Sequence, residues 1–110
     1  MLFACSLDSD LKQLSLGDET SVGEKGTVLS GGQKARISLA RAIYSSSKFI
    51  LLDDVLSAVD SHTSSHLFEH VLMGPLMAGR TCILVTHAVD LCLPGAAFVV
   101  TMDSNGTITS

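Results

Sequence analysis

The segment LSGGQKARISLARAIY, residues 29–44, constrains the fold of this chain more than any other part of the sequence. Ser30 precedes two glycines and then a run of residues that are almost all good helix formers. This order predicts a helix that has Ser30 as its N-cap and ends at the serines of residues 45–47. A glycine pair in this place lets backbone N–H groups approach an anion closely, at the positive end of the helix dipole. The start of the helix is therefore a candidate anion-binding site.

Apolar residues recur at helical spacing in the same segment, which predicts that one side of the helix is buried. They are Ile37, Leu39, Ala40, Ile43 and Tyr44. Judged on the serine and the two glycines alone, an ordinary capped surface helix is the favoured interpretation. An anion site therefore needs support from the rest of the chain.

Two short apolar runs predict buried strands of a parallel sheet that is covered on both faces. Residues 49–52 are followed by the carboxylates Asp53 and Asp54, and residues 81–85 are followed by Thr86 and His87. Adjacent carboxylates at the end of a buried strand need cations or hydrogen bonds, so the pair is a candidate cation site. The alternatives are an aspartate that caps the next turn and a hydrogen-bonded structural histidine.

The sequence LSAVD at residues 56–60 predicts a turn into a helix, with Asp60 or Ser61 as its N-cap. The helix over 61–73 carries a histidine at every fourth position on one face: His62, His66 and His70. That spacing could bind a metal. A solvated polar stripe opposite Leu67, Val71 and Leu72 is the favoured interpretation, because no matching ligand set appears elsewhere in the sequence.

The remaining segments predict peripheral elements. Residues 1–16 favour a short amphipathic helix, and the glycines and charges of residues 17–26 favour a loop. Gly74 and Pro75 end the helix over 61–73, and Gly79 makes the next turn. After the second strand, a short helix ends near residues 93–95. Residues 96–102 and 107–109 then predict a hairpin around Asn105 and Gly106, a strong turn signal.

Composition narrows the class of protein. The chain has 110 residues, 46% of them hydrophobic, and a net charge of −4. These values fit a small globular domain and lack the basic excess expected of a nucleic-acid-binding protein. The longest apolar runs are far below the roughly 18 residues of a membrane span, and no signal-peptide pattern opens the chain. Three cysteines without metal-ligand spacing fit a reducing compartment.

Four elements of the sequence, in the same order, resemble the motifs of ATP-binding cassette (ABC) ATPases. Residues 29–33, LSGGQ, and the helix after them resemble the family's signature. FILLDD at 49–54 resembles Walker B, LSAVD the D-loop, and His87 the switch histidine of the H-loop. The resemblance implies an α/β fold of the P-loop NTPase class and ABC ATPase type. Residues 1–47 would end the helical subdomain, and residues 48–110 would form the C-terminal part of the ATPase core.

The same resemblance implies ATP and Mg²⁺ as cofactors and assigns roles to single residues. Asp53 would hold Mg²⁺ through a water, and Asp54 and His87 would be catalytic. The nucleotide contacts would be Leu29, Ser30, Gly31, Gly32, Gln33 and Asp60, with the signature acting on ATP held by a second nucleotide-binding domain in a head-to-tail dimer. Competent ABC sites usually carry glutamate where Asp54 stands, and the aspartate resembles the first cassette of multidrug-resistance-associated (C-subfamily) exporters. Because aspartate is shorter, we expect slow hydrolysis at this site.

The resemblance also implies partners and a location. The loop from Thr20 to Gly26 is similar to the segment that contacts the transmembrane domains of ABC exporters, except that Ser21 replaces the usual glutamate. The protein would act at the cytoplasmic face of a membrane, coupling ATP use to export, without binding nucleic acid. The alternatives are a soluble ABC-type ATPase of chromosome maintenance or translation, and a non-catalytic truncated remnant.

The phosphate loop of the family, G-x-x-x-x-G-K-[ST], does not occur in these residues. Gly26 and Gly31 have its glycine spacing, but Gly32 and Gln33 follow where lysine and serine or threonine are required. The Q-loop and an aromatic platform for adenine do not occur either. We therefore expect weak ATP binding by the chain alone, exposed strand edges and poor solubility. We further expect either an incomplete gene reading of a longer transporter or a remnant of one.

Overall fold

The computed structural model of the protein describes residue 1, residues 3–8 and residues 29–110. Residues 3–6 form a turn and not part of the predicted helix, because Ser6 adopts a left-handed backbone conformation with φ of 55°, whereas Asp8, after the turn, is helical as predicted. The turn places Ala4, Cys5 and Leu7 in the core. The rest of the predicted N-terminal helix, residues 9–16, and the predicted loop over 17–26 lie outside the described residues.

Helix α1 spans Gly31–Tyr44 and confirms the central prediction from the sequence. Ser30 is its N-cap, and Ser45 is its C-cap. Leu39, Ala40 and Ile43 are buried, as predicted, and Ile37 packs against the core from its edge. The prediction was wrong for Tyr44, which is 81% exposed because the core contacts of the helix end at Ile43.

The two predicted strands exist and pair in parallel. Strand β1 spans Phe49–Asp53 and strand β2 spans Thr81–Val85, with Phe49 opposite Thr81 and Asp53 opposite Val85. The predicted burial on both faces was wrong. Ile50 and Leu52 face the core, whereas Phe49 and Leu51 are each 73% exposed, since the described residues place a layer on only one side of this sheet.

Helix α2 spans Ser61–Leu67 and continues as a π-helical turn over Phe68–Leu72. Asp60 is its N-cap, and Leu67 and Val71 are fully buried. The predicted end at Gly74 is confirmed, and it has a steric cause. A Cβ on Gly74 would lie 2.2 Å from the carbonyl oxygen of His70, so only glycine fits the exit of the π turn.

The segment between α2 and β2 and the C-terminal region complete the described chain. A 3₁₀ turn spans Pro75–Met77, and Gly79 reverses the chain with φ of 73°. Helix α3 spans Val89–Cys92 and is followed by a 3₁₀ turn over Leu93–Gly95. The predicted hairpin turn is confirmed by the antiparallel bridge between Met102 and Ile108. Residues 96–100 form no strand, because no partner strand lies beside them in the described chain.

The core lies where the N-terminal turn, α1, β1 and α2 meet. It contains the following buried residues: Ala4, Cys5, Leu7, Leu39, Ala40, Ile43, Ile50, Leu52, Leu56, Leu67, Val71 and Met77. Since β1 follows α1 directly and shares this core, the start of α1 and the carboxyl end of β1 are fixed relative to one another. Of the helices in the described ranges, none has the length and apolar character to cross a membrane.

Candidate functional site

The tip of α1, residues 29–33, is held by a reciprocal pair of hydrogen bonds. The Gln33 N–H donates to Ser30 Oγ at 3.1 Å, and the Ser30 N–H donates to Gln33 Oε1 at 2.9 Å. This capping box fixes the first turn of the helix. Sequence reasoning missed it, although serine with glutamine three residues later is its known signal.

Two backbone N–H donors in the first turn of α1 take no part in the capping box. Of the first four N–H groups of α1, that of Gln33 is bound by Ser30 Oγ and that of Lys34 by the Ser30 carbonyl oxygen. Within the described part of the chain, the N–H groups of Gly31 and Gly32 have no acceptor. Gly31 is exposed, and a Cβ on it would meet nothing within 4 Å. The tip therefore presents main-chain donors outward, as an anion site at a helix N-terminus requires.

Two arginines that the sequence reasoning did not single out hold α1 at its two ends. Near the start, Arg36 donates from Nε to the Gly32 carbonyl oxygen at 3.3 Å and from a terminal nitrogen to the Ser6 carbonyl oxygen. At the other end, Arg80 donates to the Ile43 carbonyl oxygen at 2.8 Å and to that of Ser45. Arg80 thereby satisfies carbonyl groups that the end of a helix leaves free and complements the negative end of its dipole. Nothing in the local sequence around Arg80 signals this contact.

The predicted carboxylate pair lies at the carboxyl end of β1. Asp53 is exposed, and Asp54 is half-buried. The Asp54 N–H donates to the Val85 carbonyl oxygen at 2.8 Å, and the Asp54 carbonyl oxygen accepts from the N–H and the hydroxyl of Ser57. Asp54 has φ of 52°, a left-handed conformation that aspartate tolerates better than most residues.

The carboxylates of Asp53 and Asp54 fit a hard cation. Among the described residues, neither carboxylate has a hydrogen-bonding partner or a cationic neighbour. Carboxylate oxygens are ligands of the kind that Mg²⁺ takes, usually with several waters retained. No group of three histidine, cysteine or acidic side chains in the described ranges is arranged to hold a metal by itself.

His87 reaches the same edge of the sheet as the carboxylates. Because β1 and β2 run parallel, with Asp53 opposite Val85, the residues that follow each strand emerge side by side. His87 is exposed, two residues beyond the end of β2. Thr86 Oγ1 accepts from the Ala88 N–H at 3.0 Å and shapes the turn around it. The structure thus gathers Asp53, Asp54 and His87 at one edge.

Asp60 uses both carboxylate oxygens within the chain. Oδ2 accepts from the Thr63 N–H at 3.0 Å, and Oδ1 accepts from the Thr63 hydroxyl at 2.7 Å. The side-chain hydrogen bond from Thr63, followed by the backbone one, lowers the pKa of Asp60. Asp60 is therefore an ionised N-cap of α2. This capping role explains why a carboxylate stands at this position even if it contacts no nucleotide.

Loop 54–60, which joins β1 to α2, touches the tip of α1. A Cβ on Gly32 would lie 2.9 Å from the Ala58 carbonyl oxygen and 3.6 Å from Val59 Cγ1. The two adjacent glycines of the tip therefore have different surroundings, since Gly31 borders open space and Gly32 borders the loop.

The histidines of α2 and of the π-helical turn after it form the largely solvated stripe that the sequence predicted, since His62 and His70 are exposed and His66 is half-buried. The rings of His66 and His70 lie 4.4 Å apart, and the Phe3 ring meets both edge-on, at 5.0 and 5.2 Å. His66 Nε2 lies 2.7 Å from the Phe3 carbonyl oxygen, which requires the proton on Nε2. The N-terminal turn packs on this face and covers part of it, a contact that the sequence did not indicate.

The motif order, the parallel strands and the exposed helix tip define a class of protein, and comparison with known proteins identifies it. The family described as "ABC transporter" matches residues 4–57. The chain belongs to the ABC transporter family, as the sequence predicted, and its α/β fold is part of a P-loop NTPase fold.

Similarity to individual ABC transporters extends over nearly all of the chain. It is 62% identical to "ABC transporter 7" of Pyricularia oryzae over 99% of this chain and 6% of that protein. It is 58% identical to "ABC transporter ATP-binding protein/permease VMR1" of Saccharomyces cerevisiae, over 96% of this chain and 7% of that protein. It is also 58% identical to "Pleiotropic ABC efflux transporter of multiple drugs YBT1" of Candida glabrata, over 91% of this chain and 6% of that protein. The chain thus spans less than a tenth of the length of these relatives.

Proposed function

We propose that this chain is part of an ATP-binding cassette of an exporter, in which the tip of α1 closes over the γ-phosphate of ATP held by a second cassette. The observation that carries this proposal is the exposed tip, where the Gly31 and Gly32 N–H groups are unused by the described chain and the capping box fixes their direction. A terminal phosphate is the ligand that this donor pattern and the helix dipole favour.

The edge that carries Asp53, Asp54 and His87 serves a different ATP, the one bound to this cassette itself. Asp53 would hold Mg²⁺ through a water, and the bound ion would supply positive charge beside the phosphates of the nucleotide. Asp54 orients the attacking water, and His87 donates to the γ-phosphate. Because the Asp54 side chain is one methylene shorter than the usual glutamate, its oxygens lie farther from the attacking water. A misplacement of about an ångström can lower the rate about 10²-fold. This site hydrolyses slowly, and the site completed by the α1 tip is the faster one.

Coupling to transport follows from the difference between two states of the cassette pair. The tip reaches the γ-phosphate only when the two cassettes close, so ATP favours the closed pair and loss of the phosphate releases it. Opening and closing move the transmembrane domains, which the loop from Thr20 to Gly26 contacts at the cytoplasmic face of the membrane. The printed names of the relatives, among them a permease and a multidrug efflux transporter, support an export function.

The substitution Gly31→Asp tests this proposal, with Gly31→Asn as its matched control. Both side chains point into open space, so neither disturbs packing. Aspartate in the first turn stabilises the helix by about 0.5 kcal/mol through the dipole, yet it repels a γ-phosphate at the tip. In membrane vesicles that contain the full-length transporter, we expect Gly31→Asp to lower ATP-driven transport roughly tenfold or more, and Gly31→Asn to lower it far less. Equal transport by the two variants would rule out a phosphate at the tip.

A further inference from the structure

We infer that Thr86 is a positioning residue for His87, because its hydroxyl holds the turn that carries the histidine at the edge of the sheet. The His87 ring is exposed and has no hydrogen-bonding partner among the described residues. Its direction therefore depends on the backbone that carries it. Thr86 Oγ1 accepts from the Ala88 N–H at 3.0 Å, a hydrogen bond that spans His87 and closes the turn.

The turn joins two points that are fixed by other contacts. Before the turn, the Val85 carbonyl oxygen at the end of β2 accepts from the Asp54 N–H at 2.8 Å. After the turn, Ala88 packs against the core, and its carbonyl oxygen accepts from the Cys92 N–H at 3.1 Å. Two residues lie between these points, and the Thr86 hydroxyl limits the paths that they can take.

The same hydroxyl also contacts the last residue of α3. Burial raises the pKa of the Cys92 thiol, and a hydrogen bond with the Thr86 hydroxyl partly offsets this rise. The N-cap of α3 is Ala88, whose methyl group cannot accept a hydrogen bond. The side chain that ties this short helix to the turn therefore comes from Thr86.

This inference deepens the proposed function and rests on it for its meaning in ATP hydrolysis. A histidine that donates to a γ-phosphate acts best when its ring is already in place as the reaction begins. A loosened turn would therefore lower the rate of hydrolysis with little effect on nucleotide affinity. Serine keeps the hydroxyl of threonine, whereas valine keeps its branched shape without the hydroxyl. Thr86→Val and Thr86→Ser are therefore a matched pair of variants.

Hydrogen exchange of the full-length transporter without nucleotide tests whether Thr86 holds the turn. Mass spectrometry would follow a peptide that covers residues 86–92. We expect exchange there to be about fivefold faster in Thr86→Val than in the unchanged protein, because the Ala88 N–H loses its acceptor. We expect Thr86→Ser to exchange at about the unchanged rate, and peptides from α1 and β1 to be unaffected in both variants. Equal exchange over residues 86–92 in the two variants would overturn the inference.

Single-turnover hydrolysis by the full-length transporter in membrane vesicles shows whether Thr86 acts through His87. The slow phase reports the site that contains His87, since that site is the slower one in the proposed function. We expect Thr86→Val to lower the rate of this phase about tenfold without changing the KM for ATP, and Thr86→Ser to keep most of the rate. In a protein that already carries His87→Ala, we expect Thr86→Val to cause no further loss.

The two measurements separate this inference from the proposed function. A full further loss from Thr86→Val in the His87→Ala protein would contradict positioning through His87. If His87→Ala itself left the slow phase unchanged, the proposed role of His87 would be wrong. The exchange comparison would then still decide whether the Thr86 hydroxyl holds the turn.

Discussion

At the scale of single residues, Asp54 is the position where backbone and chemistry constrain each other. Its φ of 52° lies in the left-handed region, where the Cβ of most L-residues crowds the following carbonyl oxygen. Aspartate and asparagine occupy this conformation more often than most other residues. The aspartate thus suits the turn after β1, whatever its part in the proposed nucleotide site.

A substitution series at Asp54 tests this account of the backbone. We expect Asp54→Asn to leave the free energy of unfolding nearly unchanged and Asp54→Glu to lower it by about 1 kcal/mol. Glutamate occupies the left-handed conformation less readily than aspartate or asparagine does. Urea unfolding followed by circular dichroism measures both. If Asp54→Glu proves as stable as Asp54→Asn, then the backbone does not select aspartate here.

At the scale of elements, the first turn of α2 depends on an ionised carboxylate. The hydrogen bonds from Thr63 lower the pKa of Asp60 below its value in the unfolded chain. Such a group contributes stability that is present above the unfolded pKa and is lost as the pH falls through the folded pKa. The cap of α2 is therefore sensitive to acid.

Acid titration of stability, with Asp60→Asn as control, measures this contribution. We expect the unfolding midpoint of the unchanged chain to fall as the pH decreases below 3.8, the ordinary value for aspartate. Asparagine caps a helix about as well as aspartate and does not titrate, so the Asp60→Asn chain should lose less stability over the same range. Identical acid profiles for the two chains would show that Asp60 contributes no linked stability.

Local elements could be predicted from the sequence because their signals are local. Ser30 as a cap, the glycine that ends α2 and the Asn105-Gly106 turn each follow from a few neighbouring residues, and the structure confirms all three. The capping glutamine, Gln33, also had a local signal. The contact of Arg80 with the end of α1 had none, since it joins residues 37 and 35 positions apart in the chain.

At the scale of the whole molecule, the sequence predicted burial that the described chain does not provide. Phe49, Leu51, Ile83 and Val85 form an exposed apolar face of the β1–β2 sheet. Their hydrophobicity is that of strands covered on both sides, which is how a parallel sheet is normally placed. The hydrophobic pattern of a strand indicates which of its faces are buried in the folded protein. It does not indicate whether the residues that cover those faces lie in the same stretch of chain. The expected poor solubility of the isolated chain remains a prediction that follows from this face.

Part of the candidate site could also be predicted from the sequence, and part depends on how distant segments pack. The sequence placed Asp53, Asp54 and His87 at the ends of two strands, and the parallel pairing brings those ends to one edge. The surroundings of the two glycines could not be foreseen, because they depend on where loop 54–60 packs. The assignment of each residue to a nucleotide remains a proposal, since it concerns a second cassette.

The central claim is that the tip of α1 meets a γ-phosphate only when two cassettes close, and thiol labelling measures this most directly. The full-length transporter would carry a single added cysteine, Gly31→Cys at the tip or Tyr44→Cys at the exposed far end of the same helix, and would be treated with a bulky maleimide. We predict that ATP with Mg²⁺ protects Gly31→Cys from labelling, that ADP does not, and that neither nucleotide protects Tyr44→Cys. Labelling of Gly31→Cys at the same rate with ATP and with ADP would contradict the account.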